Sequence, residues 1–433
     1  MNAPDRAHHN GSSLTRRDFV RTTAGLTAAA IVPSAAWAAA SAHVAGSDAI
    51  RIGLIGCGGR GTGAAYDALN ASAETRIVAL ADVFPDRLSG SRSHLAKHER
   101  GKVDDANCYL GFEAYRQLLA DAKVEMVILA TPPHFRSFHL EAAVKAGKHV
   151  FMEKPVAVDG PGIRRVIAAG QAAKQKNLSV VAGTQRRHEA CYLAAMERLR
   201  DGAIGTITAA RCYWNQGGLW VNERKPEWSD MENQLRNWLY YTWLSGDHIV
   251  EQHVHNLDVV NWAMGSHPIK AMGMGGRQVR TQPQYGHIFD HFAIEYEYPN
   301  GAFLQSMCRQ IDNCASRVEE VIHGSEGRLR THSGHAEMSG RNEWRFESDN
   351  PNPYVQEHVH LLASIRDGAG LNEAQTVAEA TLTAIMGRMS AYTGQEVTWE
   401  QALNSKQDLS PEKYEFGPLP TPPVATPGRT PLV

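Results

Sequence analysis

A short apolar run, Ile50 to Ile55 (IRIGLI), stops at glycine and continues as GCGGRG, Gly56 to Gly61, before TGAAYDALNA, a stretch of helical character. This order leaves the backbone few choices. An apolar run halted by glycine has the shape of a buried parallel strand. Gly56, Gly58 and Gly61 then let the chain turn tightly and bring backbone N–H groups, at a helix N-terminus, against a pyrophosphate. A second strand, Thr75 to Asp82 (TRIVALAD), ends on a carboxylate 21 residues after Gly61, the place of the acidic group that binds a ribose 2′-hydroxyl. A carboxylate there repels a 2′-phosphate, so the pattern favours NAD over NADP. Gly56, Cys57, Gly58, Gly59, Arg60, Gly61 and Asp82 are the cofactor-binding residues this pattern predicts.

The alternation continues. Val124 to Ala130 (VEMVILA) reads as a strand stopped by Thr131-Pro132-Pro133, RSFHLEAAVKAG as a helix closing at Gly147, and KHVFM as the next strand. Residues 49–184 are thus expected to form a doubly wound parallel sheet of Rossmann type. Past Thr206 the texture changes. TITAARCYW reads as a long strand, HFAIEYEYPNGAFLQSMC as a hairpin turning at Asn300-Gly301, and RVEEVIHGSEGRLRTHSG as a further strand pair. The predicted fold class is therefore α/β, with a C-terminal α+β domain, residues 185–410, built on a predominantly antiparallel open sheet. A helix over Ala374 to Tyr392 opens with Asn372 and Gln375, a capping-box pattern. Residues 411–433 are Pro-rich and form an extended tail.

At the other end, Thr15-Arg16-Arg17-Asp18-Phe19 matches the twin-arginine pattern, and the Ala-rich run after it ends in Ala36-Trp37-Ala38, a small-x-small cleavage signature. Residues 1–38 are expected to be a signal peptide that sends an already folded chain to the periplasm. The run is too short and too broken by Pro33 to anchor the chain permanently in a bilayer. The formal charge of −2 and the absence of a Lys/Arg stripe argue against a nucleic-acid partner. The six cysteines show no metal-type spacing. Of the twenty histidines, His253 and His255, like His358 and His360, are two apart and diverge on a helix, so no metal site is expected.

Glu153-Lys154-Pro155 follows KHVFM. In an open parallel sheet, ligands sit beyond the carboxyl ends of the strands, which directs Lys154 toward the nucleotide. Taken with IGLIGCGGRG, ALADV, ATPPH, GTQRRH, GAIGTI, EQHVHNLDVVNWAMG and HGSEG, this segment resembles the Gfo/Idh/MocA oxidoreductases over nearly all of the chain after residue 38. The resemblance implies a reaction centre of Lys154, His255 and a carboxylate, Glu251, where the family more often has Asp. It also implies cofactor contacts from Thr131, Pro132, His134, Glu153 and Lys154. Arg136 is a second departure, at a turn where many relatives carry His. Glu251, His255 and Asp258, spaced i, i+4, i+7, would share one face of a helix. Oxidation of an alcohol needs a base for the hydroxyl proton, a role suited to His255, and a donor to the same oxygen, suited to Lys154.

Five of the nine tryptophans fall between Trp214 and Trp243. Their flat faces suit either a sugar ring or an aromatic core. Trp214 and Trp243, with Arg187, His188 and Asp258, are the candidate substrate residues. An exported enzyme cannot draw on a free NAD pool, so the nucleotide is expected to travel bound and to be regenerated in place. That leaves a periplasmic oxidoreductase acting on a sugar, polyol or glycoside, or a redox-neutral NAD-dependent glycoside hydrolase or epimerase. A non-catalytic sugar-binding protein is the remaining reading. The resemblance further implies a homo-oligomer, dimer or tetramer, paired through the open face of the second sheet.

Overall fold

The computed structural model of the protein describes residues 49–433. The signal-peptide motifs of residues 1–38 lie outside them. Six parallel strands, β1 (Ile50–Ile55), β2 (Thr75–Asp82), β3 (Cys108–Leu110), β4 (Met126–Leu129), β5 (His149–Met152) and β6 (Val180–Ala182), form one sheet in the order β3-β2-β1-β4-β5-β6. Helices α1 (Gly59–Ala71), α2 (Pro85–Leu95), α3 (Ala114–Ala120), α4 (Pro133–Lys145) and α5 (Gly160–Gln175) connect them. The order reverses between β1 and β4, which opens a crevice at the carboxyl ends of those strands. β1 is buried on both faces. Ile52 and Leu54 pack against Ala64, Ala65, Ala68 and Leu69 of α1, while Ile55 joins Leu118 and Leu140 on the other side. Two-sided burial, about 1.5–3 kcal/mol for each such side chain, is why this strand reads as an unbroken apolar run.

After α6 (Ala190–Arg200), β7 (Ile207–Gln216) starts a nine-stranded sheet. Four short helices follow it: α7 (Asp230–Arg236), α8 (Thr242–Ser245), α9 (His248–Glu251) and α10 (Val254–Met264). The remaining strands are β8 (Lys270–Gly276), β9 (His291–Glu297), β10 (Phe303–Gln310), β11 (Arg317–Gly324), β12 (Gly327–His332), β13 (His335–Gly340) and β14 (Trp344–Arg345). Then come α11 (Pro353–Asp367), α12 (Ala374–Thr393), β15 (Val397–Thr398) and α13 (Trp399–Asn404). The order is β14-β13-β12-β11-β7-β10-β9-β8-β15, antiparallel at every pair except β7 with β10. The hairpin at Asn300-Gly301 forms, with Gly301 at φ +80°. β8 is a strand the sequence concealed, because three of its seven residues are glycine, which strands disfavour. At Gly273 a Cβ would stand 2.1 Å from Ile294 Cδ1, the mobile end of a side chain on β9.

α10 and α12 cover one face of this sheet. The expected capping box on α12 does not form. Glu373 occupies the N-cap position with no side-chain cap bond, and Gln375 turns instead to Glu379. The Glu373 carboxylate is committed to the Ala182 amide at 2.8 Å, which stitches the start of α12 to the edge of the first sheet. A capping box opens α13 instead, between Thr398 and Gln401. α11 returns to the nucleotide half, where Leu361 and Leu362 share a core with α1. Among the described residues no helix is long and apolar enough to cross a membrane.

Candidate active site

The glycine loop after β1 is shaped by contacts that only hydrogen tolerates. Gly56 has φ +97°, and a Cβ there would lie 2.6 Å from the backbone of Ala130 and Thr131. A Cβ on Gly61 would fall 1.9 Å from the Gly56 carbonyl oxygen. Gly58 and Gly59 differ: nothing in the polypeptide lies within 4 Å of a Cβ there, because they face a cavity of about 490 Å³. No side chain caps the amides that open α1. Free first-turn N–H groups over an open cavity fit a pyrophosphate.

Asp82 closes the other end of this crevice. Its carboxylate accepts from the Cys57 amide at 2.6 Å and the Phe84 amide at 2.8 Å, which fixes its position while leaving lone pairs for a ribose. Burial pushes its carboxyl up and those two amides oppose the shift. Cys57 contributes its backbone. Its thiol is buried and, chiefly by desolvation, held well above the usual range, so it is inert. Thr131 and Pro132 line the cavity, as does Arg60. The Arg60 side chain is drawn aside to Glu153 and stacks over Tyr354. Behind it the buried Glu357 carboxyl is pushed well above the carboxylate range by desolvation and by the charge of Glu153. The donor set, the open glycine face and the placed carboxylate together fit a dinucleotide.

Lys154 leaves the end of β5 and reaches the second half of the chain. Its Nζ donates to the Glu251 carbonyl at 2.6 Å and to Glu251 Oε1 at 3.2 Å, with both side chains nearly buried. Glu251, His255 and Asp258 do not share one continuous helix. α9 ends at Glu251, the chain breaks at Gln252-His253, and α10 begins at Val254. The break lets Lys154 take the Glu251 carbonyl, which an unbroken helix would bond to its own backbone. His255 is buried and stacked under the Trp214 indole, 5.7 Å between ring centres. Desolvation first, then the charges of Lys154, Arg186 and Arg60, holds its pKa well below the ordinary value of 6.5. His255 is therefore a neutral imidazole at physiological pH. Its Nδ1 and, on the other side of the helix break, Glu251 Oε2 are buried with no partner in the protein.

The other candidate residues have structural partners. Arg187 forks onto Asp258 at 2.8–3.0 Å and lies over Trp262. His188 Nδ1 is 2.7 Å from His360 Nδ1, and its Nε2 is 3.2 Å from Glu373. His134 lies outside the cavity wall, its Nε2 2.7 Å from the Tyr414 hydroxyl, and burial lowers its pKa to about 3. Trp243 is buried, its indole N–H donating to Gln234 Oε1 at 2.8 Å, with its ring edge-on to His134. Trp214 serves His255 directly. Trp220 and Trp238 line the nucleotide cavity, a placement the aromatic count alone did not reveal.

Arg136, noted in the sequence only as a departure, has a visible task. It donates to the carbonyls of Thr131 and Pro155, tying the turn beside the cavity to the turn that carries Lys154. Burial lowers its pKa to about 10, which leaves it cationic at neutral pH.

Comparison with known proteins agrees with this geometry. The family model described as "Oxidoreductase family, NAD-binding Rossmann fold" (GFO_IDH_MocA) matches residues 50–184, and the GFO/IDH/MocA C-terminal domain matches residues 192–330. The 2,7-anhydro-N-acetylneuraminate hydratase of Escherichia coli is 27% identical over 213 residues, 49% of this chain and 53% of that protein. The inositol 2-dehydrogenase of Acidothermus cellulolyticus is 27% identical over 229 residues, 53% of this chain and 58% of that one. The match thus spans little more than half the length of these two relatives. Among solved structures, aldose-aldose oxidoreductase from Caulobacter crescentus superposes with a TM-score of 0.63 at 19% identity, covering 81% of this chain and 99% of that one. A levoglucosan dehydrogenase in complex with NADH and levoglucosan gives 0.65 at 17% identity, with 81% and 99% covered. At these identities the superpositions establish the fold.

Proposed function

The chain belongs to the Gfo/Idh/MocA oxidoreductase family, and we propose that it is an exported NAD-dependent enzyme that oxidises a carbinol of a sugar, polyol or glycoside. The observation that carries this reading is the neutral His255, buried close to the Lys154 ammonium that Glu251 holds. A bound nicotinamide supplies the hydride acceptor. His255 takes the hydroxyl proton on its imidazole. Lys154 has spent two of its three N–H donors on Glu251, and the third is available to the same oxygen. Glu251, whose Oε2 has no partner in the protein, holds Lys154 through Oε1 and its carbonyl. Asp82 supports NAD as the cofactor, although Arg87 lines the same cavity.

The twin-arginine motif supports export of the folded chain to the periplasm, with the nucleotide aboard and kept. A homo-oligomer, dimer or tetramer, is supported by the uncovered face of the nine-stranded sheet. Met307, Ala293 and Met274 are aligned across β10, β9 and β8, and Met272, Met274, Phe303 and Met307 are 40–78% exposed.

One observation favours a second reading, redox-neutral elimination after transient oxidation, as in a glycoside hydrolase or epimerase. Glu251 Oε2 is a second free base beside His255 and could remove a carbon-bound proton. A relative named as a hydratase is in keeping with it. Purified protein given candidate sugars, polyols and aryl-glycosides while absorbance near 340 nm is followed separates the two. Lasting change is expected for net oxidation. Release of aglycone with no lasting change would replace that reading with the second, and no response to any carbohydrate would overturn both.

A further inference from the structure

The nucleotide cavity has an outer wall that comes from the other half of the chain. Trp220, Asn222, Leu235, Arg236 and Trp238, all from the segment between β7 and α8, line the same space as Asp82 and Phe84. Asp82 marks the adenosine end, so this wall lies over adenosine rather than over the reacting carbon. The geometry points to a composite adenosine site: the 217–241 segment supplies its outer surface, and the C-terminal tail holds that segment in place.

Two sets of contacts fix the wall. Arg236 forks onto Asp86 at 2.9 and 3.1 Å, with its guanidinium 4.0 Å above the Phe84 ring. The tail grips from outside. Gly417 and Leu419 accept from the Met231 amide and the Gln234 side chain at 3.1 and 2.7 Å, and the Leu419 amide donates to Asp230 at 3.2 Å. The same stretch meets the Rossmann rim, where Phe416 stacks on Phe84 at 5.9 Å and 22° and packs against Phe112 at 5.3 Å. Phe84 and Phe112 both line the cavity. The Pro-rich composition explains how so thin a segment stays extended across the gap. Within the wall, Trp220 keeps 45% of its surface exposed and stands 6.3 Å from Trp238, an indole face open to a flat base.

This inference rests on the cavity holding a dinucleotide, and it makes nucleotide release depend on residues far from the glycine loop. Phe416 is 48% exposed, so neither Phe416→Ala nor Trp220→Ala empties a core. The test loads the full-length protein with NADH and follows its fluorescence after dilution into excess NAD. Each variant is expected to release NADH about tenfold faster, the change expected from losing one stacked aromatic contact. The melting temperature of stripped protein should not move, and Val424→Ala, further along the tail, should release at the wild-type rate. Wild-type release rates in both Phe416→Ala and Trp220→Ala would overturn the composite site while leaving the cofactor assignment intact. Failure of the unaltered chain to bind NADH would overturn both.

Discussion

Replacing His255 with alanine is expected to lower kcat by about a hundred- to ten-thousandfold, the range a positioned general base supplies, while nucleotide content stays at the wild-type level. The substrate is whichever carbohydrate the absorbance panel identifies. Glu251 is held by Lys154 and does not replace His255 as base at the hydroxyl. His253 points away, with its Nε2 2.7 Å from Ser306 Oγ, and Asp258 is consumed by Arg187. The direction of the pH dependence follows from the environment. Burial and three nearby positive charges disfavour the imidazolium, so the base form persists well below the ordinary value of 6.5. The acid limb of kcat/KM is therefore expected to fall well below pH 6.5 rather than at it. Full activity in His255→Ala, or an acid limb at or above 6.5 set by His255, would remove it from the mechanism.

The second large effect separates two kinds of glycine. Gly61→Ala would place a methyl 1.9 Å from the Gly56 carbonyl and 3.0 Å from Ala130 Cβ, with backbone on one side and sheet on the other. Loss of both the cofactor and much of the thermal stability is expected. Gly58→Ala meets nothing in the polypeptide, and Gly58 has an ordinary extended backbone, φ −70°. Its methyl enters only the space that a pyrophosphate would fill. The account predicts an unchanged melting temperature for stripped Gly58→Ala and NAD affinity weakened about tenfold or more, equivalent to roughly 1.4 kcal/mol. Calorimetric titration and a thermal melt on the same sample decide it. Unaltered affinity in Gly58→Ala would mean that nothing binds against that loop.

The nucleotide half was legible because its code is local. Gly56 to Gly61 and Asp82 carry their function through backbone geometry set within one strand–turn–helix unit and the strand that follows. Lys154 and His255 were reachable through a family resemblance, and they lie 101 residues apart, so no spacing rule links them. What the sequence concealed depends on partners that only the fold supplies. The break after Glu251, which frees a carbonyl for Lys154, interrupts a run that reads as continuous helix. Asp258 and Arg187 had the right chemistry for a substrate, yet each is taken by the other. Trp243 and Trp220 are indistinguishable in composition, but one is sealed beneath His134 and the other edges the nucleotide cavity. Arg136 looked like a family irregularity until its guanidinium was seen spanning two turns.

The most direct test of the account is the nucleotide content of processed protein purified from the periplasm without added coenzyme, released by denaturation and identified by chromatography and mass spectrometry. Stoichiometric NAD(H) in the wild type is the predicted result. An empty cleft in protein that nevertheless converts its carbohydrate substrate with no coenzyme supplied would contradict it.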